Sequence, residues 1–286
     1  MSDAPNSEQP GQPDQIDLRA AVLARLNFEL AMGLESAPRV ALSQRSAPSA
    51  SAVSVAASSA TTSRASVVAP SVVARTTPTV SPAAAPAPVA APVTPALSTG
   101  DKAARWAALE SRAMSCQACV LAKTRLNVVF GTGNKEAKIL FVGEGPGADE
   151  DAQGEPFVGK AGQLLNKIIG AMGLKREEVY ICNVVKCRPP NNRTPLPDEA
   201  GACNPYLVEQ IELVAPKVIV ALGSPAAKTL LNTMQGIMSL RGRWHMYKGI
   251  PVMPTYHPAF VLRQYTEEVR RAVWDDMKKV MERVKG

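Results

Sequence analysis

Residues 143–165 read Gly143-Glu-Gly-Pro-Gly-Ala-Asp-Glu-Asp-Ala-Gln-Gly-Glu-Pro-Phe-Val-Gly-Lys-Ala-Gly-Gln-Leu-Leu165. The apolar run Lys138-Ile-Leu-Phe-Val142 leads into them and has the length and composition of a buried strand. Glycines and a proline then break regular structure, with Glu144, Asp149, Glu150, Asp151 and Glu155 crowded among them. Beyond Gly159 the apolar residues Leu164, Leu165, Ile168 and Ile169 fall at helix spacing. The stretch therefore reads as strand, acidic glycine-rich loop, helix. In an open α/β sheet such a loop lies at the carboxyl end of a strand, where ligands bind. Glycine lets backbone approach a ligand closely, and carboxylates held there can position or activate water.

The same alternation continues down the chain. Lys102–Met114 reads as a helix with Trp106, Leu109 and Ala113 on one side. Gly159–Met172 reads as a second helix, stopped by Gly173. Val179–Val185 and Val218–Leu222 are buried strands, and Pro251–Thr255 is a fourth. Cys187-Arg-Pro-Pro-Asn-Asn-Arg-Thr-Pro-Leu-Pro is a rigid loop, after which Asp198 is expected to cap a helix reaching about Ala215. Ala226–Leu231 is a short helix and Thr266–Lys285 a closing one. Strands alternating with helices predict a parallel sheet covered on both faces. The roughly 185 residues from Asp101 onward suffice for one sizeable core.

The region before Asp101 is different. Its hundred residues hold no Lys, six Arg against six acidic residues, and Phe28 as their one aromatic. The whole net charge of +7 therefore belongs to residues 101–286. A basic folded part with an acidic loop points to an anionic partner, nucleic acid first. Met1–Pro13 is polar. Asp14–Glu35 carries Leu18, Val22, Leu26 and Leu30 at i+4 spacing and predicts one helix, loosely attached or serving as a short partner-binding motif. Ala37–Ser98, rich in Ala, Pro, Ser, Thr and Val, reads as a flexible, disordered linker. The organisation expected is thus a tail over 1–36, a linker over 37–100 and a folded domain over 101–286. No run of eighteen apolar residues predicts a membrane span, and the start lacks the layout of a signal peptide. A cytoplasmic protein is expected, whose paired cysteines favour metal over disulfides.

Four of the five cysteines fall into such pairs. Cys116 and Cys119 form C-x2-C; Cys187 and Cys203 flank the proline-rich loop. Cys182, inside an apolar strand, reads as a small buried residue. One tight and one loose pair suit a four-thiolate site, and spacing leaves zinc and an iron–sulfur cluster both open. Gly154-Glu-Pro-Phe-Val-Gly-Lys160 imitates a nucleotide-binding loop, but Ala161 replaces the hydroxyl residue that magnesium needs, and the preceding strand ends too early.

Taken together, Gly143-Glu-Gly-Pro-Gly147, Pro156-Phe-Val-Gly-Lys-Ala-Gly162, Asn183-Val-Val-Lys-Cys-Arg-Pro-Pro190 and His257-Pro-Ala-Phe-Val-Leu-Arg263 resemble the iron–sulfur uracil-DNA glycosylases, the thermostable or family-four type. The resemblance covers about Trp106 to Val280. It implies a three-layer α/β/α fold with a four-stranded parallel sheet. It implies a [4Fe-4S] cluster held by Cys116, Cys119, Cys187 and Cys203, and hydrolysis of uracil from DNA. By the same resemblance Phe157 stacks on the flipped base, Asn183 reads its edge and His257 faces its O2, with Gly143 and Gly145 lining the pocket. Glu144 and Glu150 are the candidates for positioning water, Glu144 first because it follows the strand directly, with Asp151 behind them. Gly147 stands where better-known relatives carry a Tyr against thymine's methyl, so thymine exclusion is left without an account. Lys160, Leu262 and Arg263 are expected to contact DNA, Leu262 or Arg263 by entering the duplex; Arg188, Arg193, Arg241 and Arg243 are further candidates. His245 is given no role. A monomer acting on uracil-containing DNA is expected, with a protein partner for the N-terminal helix. The alternative from another class is a non-catalytic iron–sulfur DNA-binding module of the same fold. A covalent uracil-DNA trapping relative would need a basic insertion with an extra His, which does not precede Pro258.

Overall fold

The computed structural model describes residues 99–285, together with residues 23, 26–30 and 33. The expected linker over 37–98 and the polar start lie outside the described residues. In chain order, α1 (Thr99–Met114) and a 3-10 turn (Val120–Lys123) precede β1 (Thr132–Gly133) and β2 (Ile139–Gly143). Then come α2 (Ala148–Gln153), α3 (Lys160–Ala171), β3 (Tyr180–Asn183), α4 (Pro197–Val214), β4 (Val218–Leu222) and α5 (Ser224–Leu231). The chain ends through α6 (Ile237–Leu240), β5 (His245–Tyr247), β6 (Ile250–Thr255), α7 (Pro258–Arg263) and α8 (Glu267–Lys285).

The strands form one sheet in the order β1-β3-β2-β4-β6-β5. The central four are parallel, as the alternation of strand and helix requires. Two short antiparallel strands, β1 and β5, extend it to six. They escape the sequence because two or three residues at a sheet edge carry no period. Every residue of β2, β3 and β4 is buried, so both faces are covered. Side chains alternate between them. Leu140 and Val142 join Trp106, Leu109, Leu207 and Ile211 from α1 and α4 on one side. Ile139 and Phe141 join Leu165, Ile169, Val273 and Met277 from α3 and α8 on the other. The result is a three-layer α/β/α architecture.

Three local expectations are corrected. The acidic loop contains a helix, α2, because Asp149, Glu150 and Asp151 fall in its first turn, where the helix dipole favours negative charge. Asp198 does not cap α4. Pro197 occupies the first helical position, and Glu199 reaches back to accept the Leu196 N–H at 2.8 Å. In the N-terminal segment, residues 23 and 26–30 are helical. Leu23, Leu26 and Leu30 are exposed, while Phe28 is fully buried and stacks on Trp274 of α8 at 4.3 Å. The aromatic ring offers more apolar area to bury than any one leucine and decides which face docks.

Candidate active site

The parallel strands β2, β3 and β6 deliver their carboxyl ends to one edge of the sheet. A cleft of about 520 Å³ opens there, lined by Glu144, Gly145, Phe157, Asn183, His257 and Arg263 among others. The placement follows the rule for open α/β sheets.

Phe157 has φ 54° and is 5% exposed. A bulky residue in the left-handed region is strained, and such strain collects at functional sites. Arg176 holds the strained turn in place. Its guanidinium donates to the carbonyls of Pro156 at 2.5 Å and Phe157 at 3.3 Å, and to Asn166 Oδ1 at 3.0 Å. The Phe157 ring lies 5.6 Å from that of His257, tilted by 32°.

Asn183 ends β3 and is buried, and its Oδ1 has no hydrogen-bond partner. A buried acceptor left open costs free energy unless a ligand meets it. Gly143 makes room for this pair: a Cβ there would stand 2.3 Å from Asn183 Oδ1 and 2.5 Å from Phe157 Cζ. Gly145 lines the cleft directly.

His257 is the N-cap of α7. Its Nδ1 accepts the Ala259 N–H at 3.1 Å, which leaves the ring proton of the neutral form on Nε2. Burial, reinforced by the nearby charge of Arg263, pulls its pKa down to about 4, so the ring is neutral at pH 7. Gly223 (φ +88°) permits the approach, since a Cβ there would lie 2.9 Å from His257 Cβ.

The three carboxylates differ. Glu144 lines the cleft, and burial raises its pKa against the opposing pull of a Thr194 hydrogen bond and the Arg263 charge. Glu150 also lines the cleft, but its carboxylate accepts three backbone N–H groups, from Gly147 (3.0 Å), Val158 (3.0 Å) and Gly159 (2.9 Å). Asp151 is buried and accepts the N–H of Leu126 at 2.9 Å and of Asn127 at 3.3 Å. Glu150 and Asp151 thus staple the loop through backbone N–H groups, while Glu144 faces the cleft beside the exposed Asp149. Lys160 and Arg263 line its rim; Leu262 is exposed beside it. Arg193 forms a bidentate pair with buried Glu199 (2.8 and 2.6 Å). Arg241 pairs with buried Asp276 (2.9 and 3.0 Å). Both guanidiniums are therefore engaged within the protein, and Arg188 donates to Asn192 Oδ1 at 2.7 Å.

Cys116, Cys119, Cys187 and Cys203 line one small second pocket, while Cys182 is fully buried in β3. Arg125 donates to Cys187 Sγ at 3.2 Å, and the Lys186 N–H to Cys203 Sγ at 3.3 Å. Among the described residues no three His, Cys, Asp or Glu side chains gather closely enough to hold a single metal ion. Arg176, Thr194 and Arg125 gave no sequence signal, since each acts through a partner distant in sequence; Lys186 lies inside a quoted motif, but the inward turn of its side chain did not show there.

A cleft at the carboxyl edge of a parallel sheet, carrying a strained aromatic, an open amide and a neutral imidazole, marks a ligand-binding protein of the open α/β class. The family model described as the uracil DNA glycosylase superfamily matches residues 130–278, and the chain belongs to that superfamily. Within it, the chain is similar to type-4 uracil-DNA glycosylases. That of Thermotoga maritima is 48% identical over 181 residues, spanning 62% of this chain and 93% of that protein. That of Archaeoglobus fulgidus is 48% identical over 179 residues, spanning 59% of this chain and 88% of that protein. A type-5 uracil-DNA glycosylase of Pyrobaculum aerophilum is 30% identical over 168 residues, spanning 50% and 74% respectively.

Proposed function

We propose that the protein is a DNA-repair glycosylase that flips uracil out of DNA and hydrolyses its N-glycosidic bond, leaving an abasic site. The observation that carries this reading is the open, buried Oδ1 of Asn183 in one cleft with Phe157 and His257. Extruding the nucleotide costs a few kcal/mol, least at a mismatch. Phe157 offers a face for the base to stack on. The Asn183 amide accepts from uracil N3–H through Oδ1 and donates to O4 through Nδ2, a pattern cytosine cannot satisfy. As the bond between N1 and the sugar C1′ breaks, its electron pair passes to the base, and negative charge gathers on O2. The Nε2–H of neutral His257 stabilises that charge without yielding its proton. Glu144 orients the water whose oxygen bonds to C1′ and takes up the proton released, while its charge favours the cationic sugar. Glu150 serves by fixing the loop. Lys160 and Arg263 grip phosphates, and Leu262 or Arg263 fills the gap left by the base.

The four cysteine thiolates would hold a [4Fe-4S] cluster. All four line one small pocket, which supports a shared four-thiolate site of the kind such a cluster uses. Donors on two of the sulfurs suit an anionic occupant. When bound, the cluster ties the α1 turn, the proline-rich loop and α4 together. Residues 101–286 carry the glycosylase, with residues 1–36 and 37–100 appended to it. Among the described residues no helix is long and apolar enough to cross a membrane; we place the protein in the cytoplasm, as a monomer. The exposed Leu23, Leu26 and Leu30 suit a contact with a protein partner.

The test is incubation with a duplex carrying one uracil, followed by alkaline cleavage. Free uracil and a nicked strand are expected, with no product from the cytosine duplex. Iron-replete protein that binds this duplex but releases no uracil would leave the non-catalytic DNA-binding module in place of the enzyme.

A further inference from the structure

The Lys186 side chain takes no part in the reaction described above, yet it is 2% exposed. A long amine in the interior is unfavourable unless its donors are met. Its Nζ donates to the main-chain carbonyl of Asn183 at 2.7 Å and to Gln210 Oε1 of α4 at 2.5 Å. Gln210 is in turn fixed, its Nε2 donating to the Phe130 carbonyl at 2.9 Å and to Tyr180 Oη at 3.2 Å. The Lys186 backbone is pinned as well. Its N–H meets Cys203 Sγ at 3.3 Å, and its carbonyl accepts the Val129 N–H at 2.8 Å. One residue thus spans the distance between the thiol pocket and the last residue of β3.

From this geometry we infer that Lys186 is a positioning residue for uracil recognition. Its amine clamps the Asn183 carbonyl against α4 and so fixes the direction of the Asn183 amide. The strand ladder alone does not provide this. Past the last β3–β2 pair, Asn183 with Gly143, the N–H groups of Val184 and Val185 still bond the Gly143 and Glu144 carbonyls at 2.9 and 3.2 Å, but the Asn183 carbonyl itself is met by the Lys186 amine. An amide that must donate and accept at once tolerates little rotation, and an amine anchored on a helix supplies the constraint.

The inference rests on the reading of Asn183 as the base-reading amide, and a double-mutant cycle in the full, iron-loaded chain separates the two. Lys186→Met, Asn183→Ala and the combined variant are compared in single-turnover excision from a one-uracil duplex. Binding to the same duplex with a non-hydrolysable uracil nucleotide is measured against undamaged duplex, and visible absorption reports retained iron. Lys186→Met alone is expected to slow excision by about tenfold or more, on the scale of a lost charge-assisted hydrogen bond. It should erode the preference for the uracil duplex while leaving binding to undamaged duplex unchanged. In the Asn183→Ala background it should cost less than about twofold, because the group it positions is gone. Multiplying losses would overturn the inference, since Lys186 would then act independently of Asn183. Full activity of Asn183→Ala would instead sink the reading of Asn183. Should Lys186→Met lose its iron or fail to fold, Gln210→Met removes the anchor from the other side. The same non-additivity with Asn183→Ala is then expected, and independent losses again refute the inference.

Discussion

At Phe157 the backbone is held at φ 54°, and the restraint comes from Arg176 on the far side of α3. Replacing Arg176 by Ala removes charge-assisted hydrogen bonds from a strained turn. The Phe157 face then loses its fixed pose, and kcat/KM should fall by about tenfold with the fold retained, as read by steady-state kinetics and circular dichroism. Lys should restore little, because it cannot supply the planar fork. The two titrating groups of the cleft make a second expectation. His257, with its pKa near 4, is already neutral over most of the acid range. In the reaction proposed above Glu144 is charged when it holds water, and its pKa is raised by burial. Activity should therefore fall as pH drops through the raised Glu144 value, before His257 gains a proton. In the residual activity of Glu144→Gln that limb should disappear and the decline move down toward about pH 4. A pH–rate profile with the limb unmoved would assign it to another group. Of these residues, Glu144, Phe157, Asn183 and His257 stand out in sequence, because each sits in a short motif, three of them at strand ends and Phe157 in the turn before α3. Arg176 and Thr194 do not, because their roles exist only across a fold that brings distant segments together.

Among the elements, the N-terminal segment shows how a period can mislead. Leucines at i+4 spacing establish that residues there can be helical but not which side docks. The pairing of Phe28 with Trp274 settles it. Phe28→Ala should release the segment from α8 without unfolding the sheet. The expected readout is faster hydrogen exchange in the peptides around Trp274, with β2 and β4 still protected. Unchanged exchange there would show that the segment does not dock through Phe28. Helix α2 was hidden for a related reason: glycines on either side mask six residues whose helicity depends on the Glu150 carboxylate reaching backbone N–H groups. The α4 start was displaced because Pro197 fits the first helical turn better than Asp198 fits a cap.

Over the whole molecule, the net charge of +7 is confined to residues 101–286, and Lys160 and Arg263 line the cleft rim. Binding to a non-hydrolysable uracil duplex should weaken steeply with salt, and Lys160→Ala should lower the log–log slope by about one if that amine neutralises one phosphate. An unaltered slope would remove Lys160 from the interface. The architecture itself was open to reading: apolar runs of strand length alternating with helical periods leave a parallel sheet buried on both faces as the consistent packing. Composition likewise assigned the positive charge to one end of the chain, and motif order pointed to the family. These properties follow from local sequence, because strand length, helix period and charge need no distant partner. The tertiary structure alone decided which carboxylates are tied to backbone N–H groups, which arginines are engaged internally, and how a lysine beside the thiols reaches the carbonyl of Asn183. Each of those outcomes depends on the direction a side chain takes once the turns and helices are packed, as when Lys186 meets Gln210 and Arg241 meets Asp276, and no local period or composition carries that information.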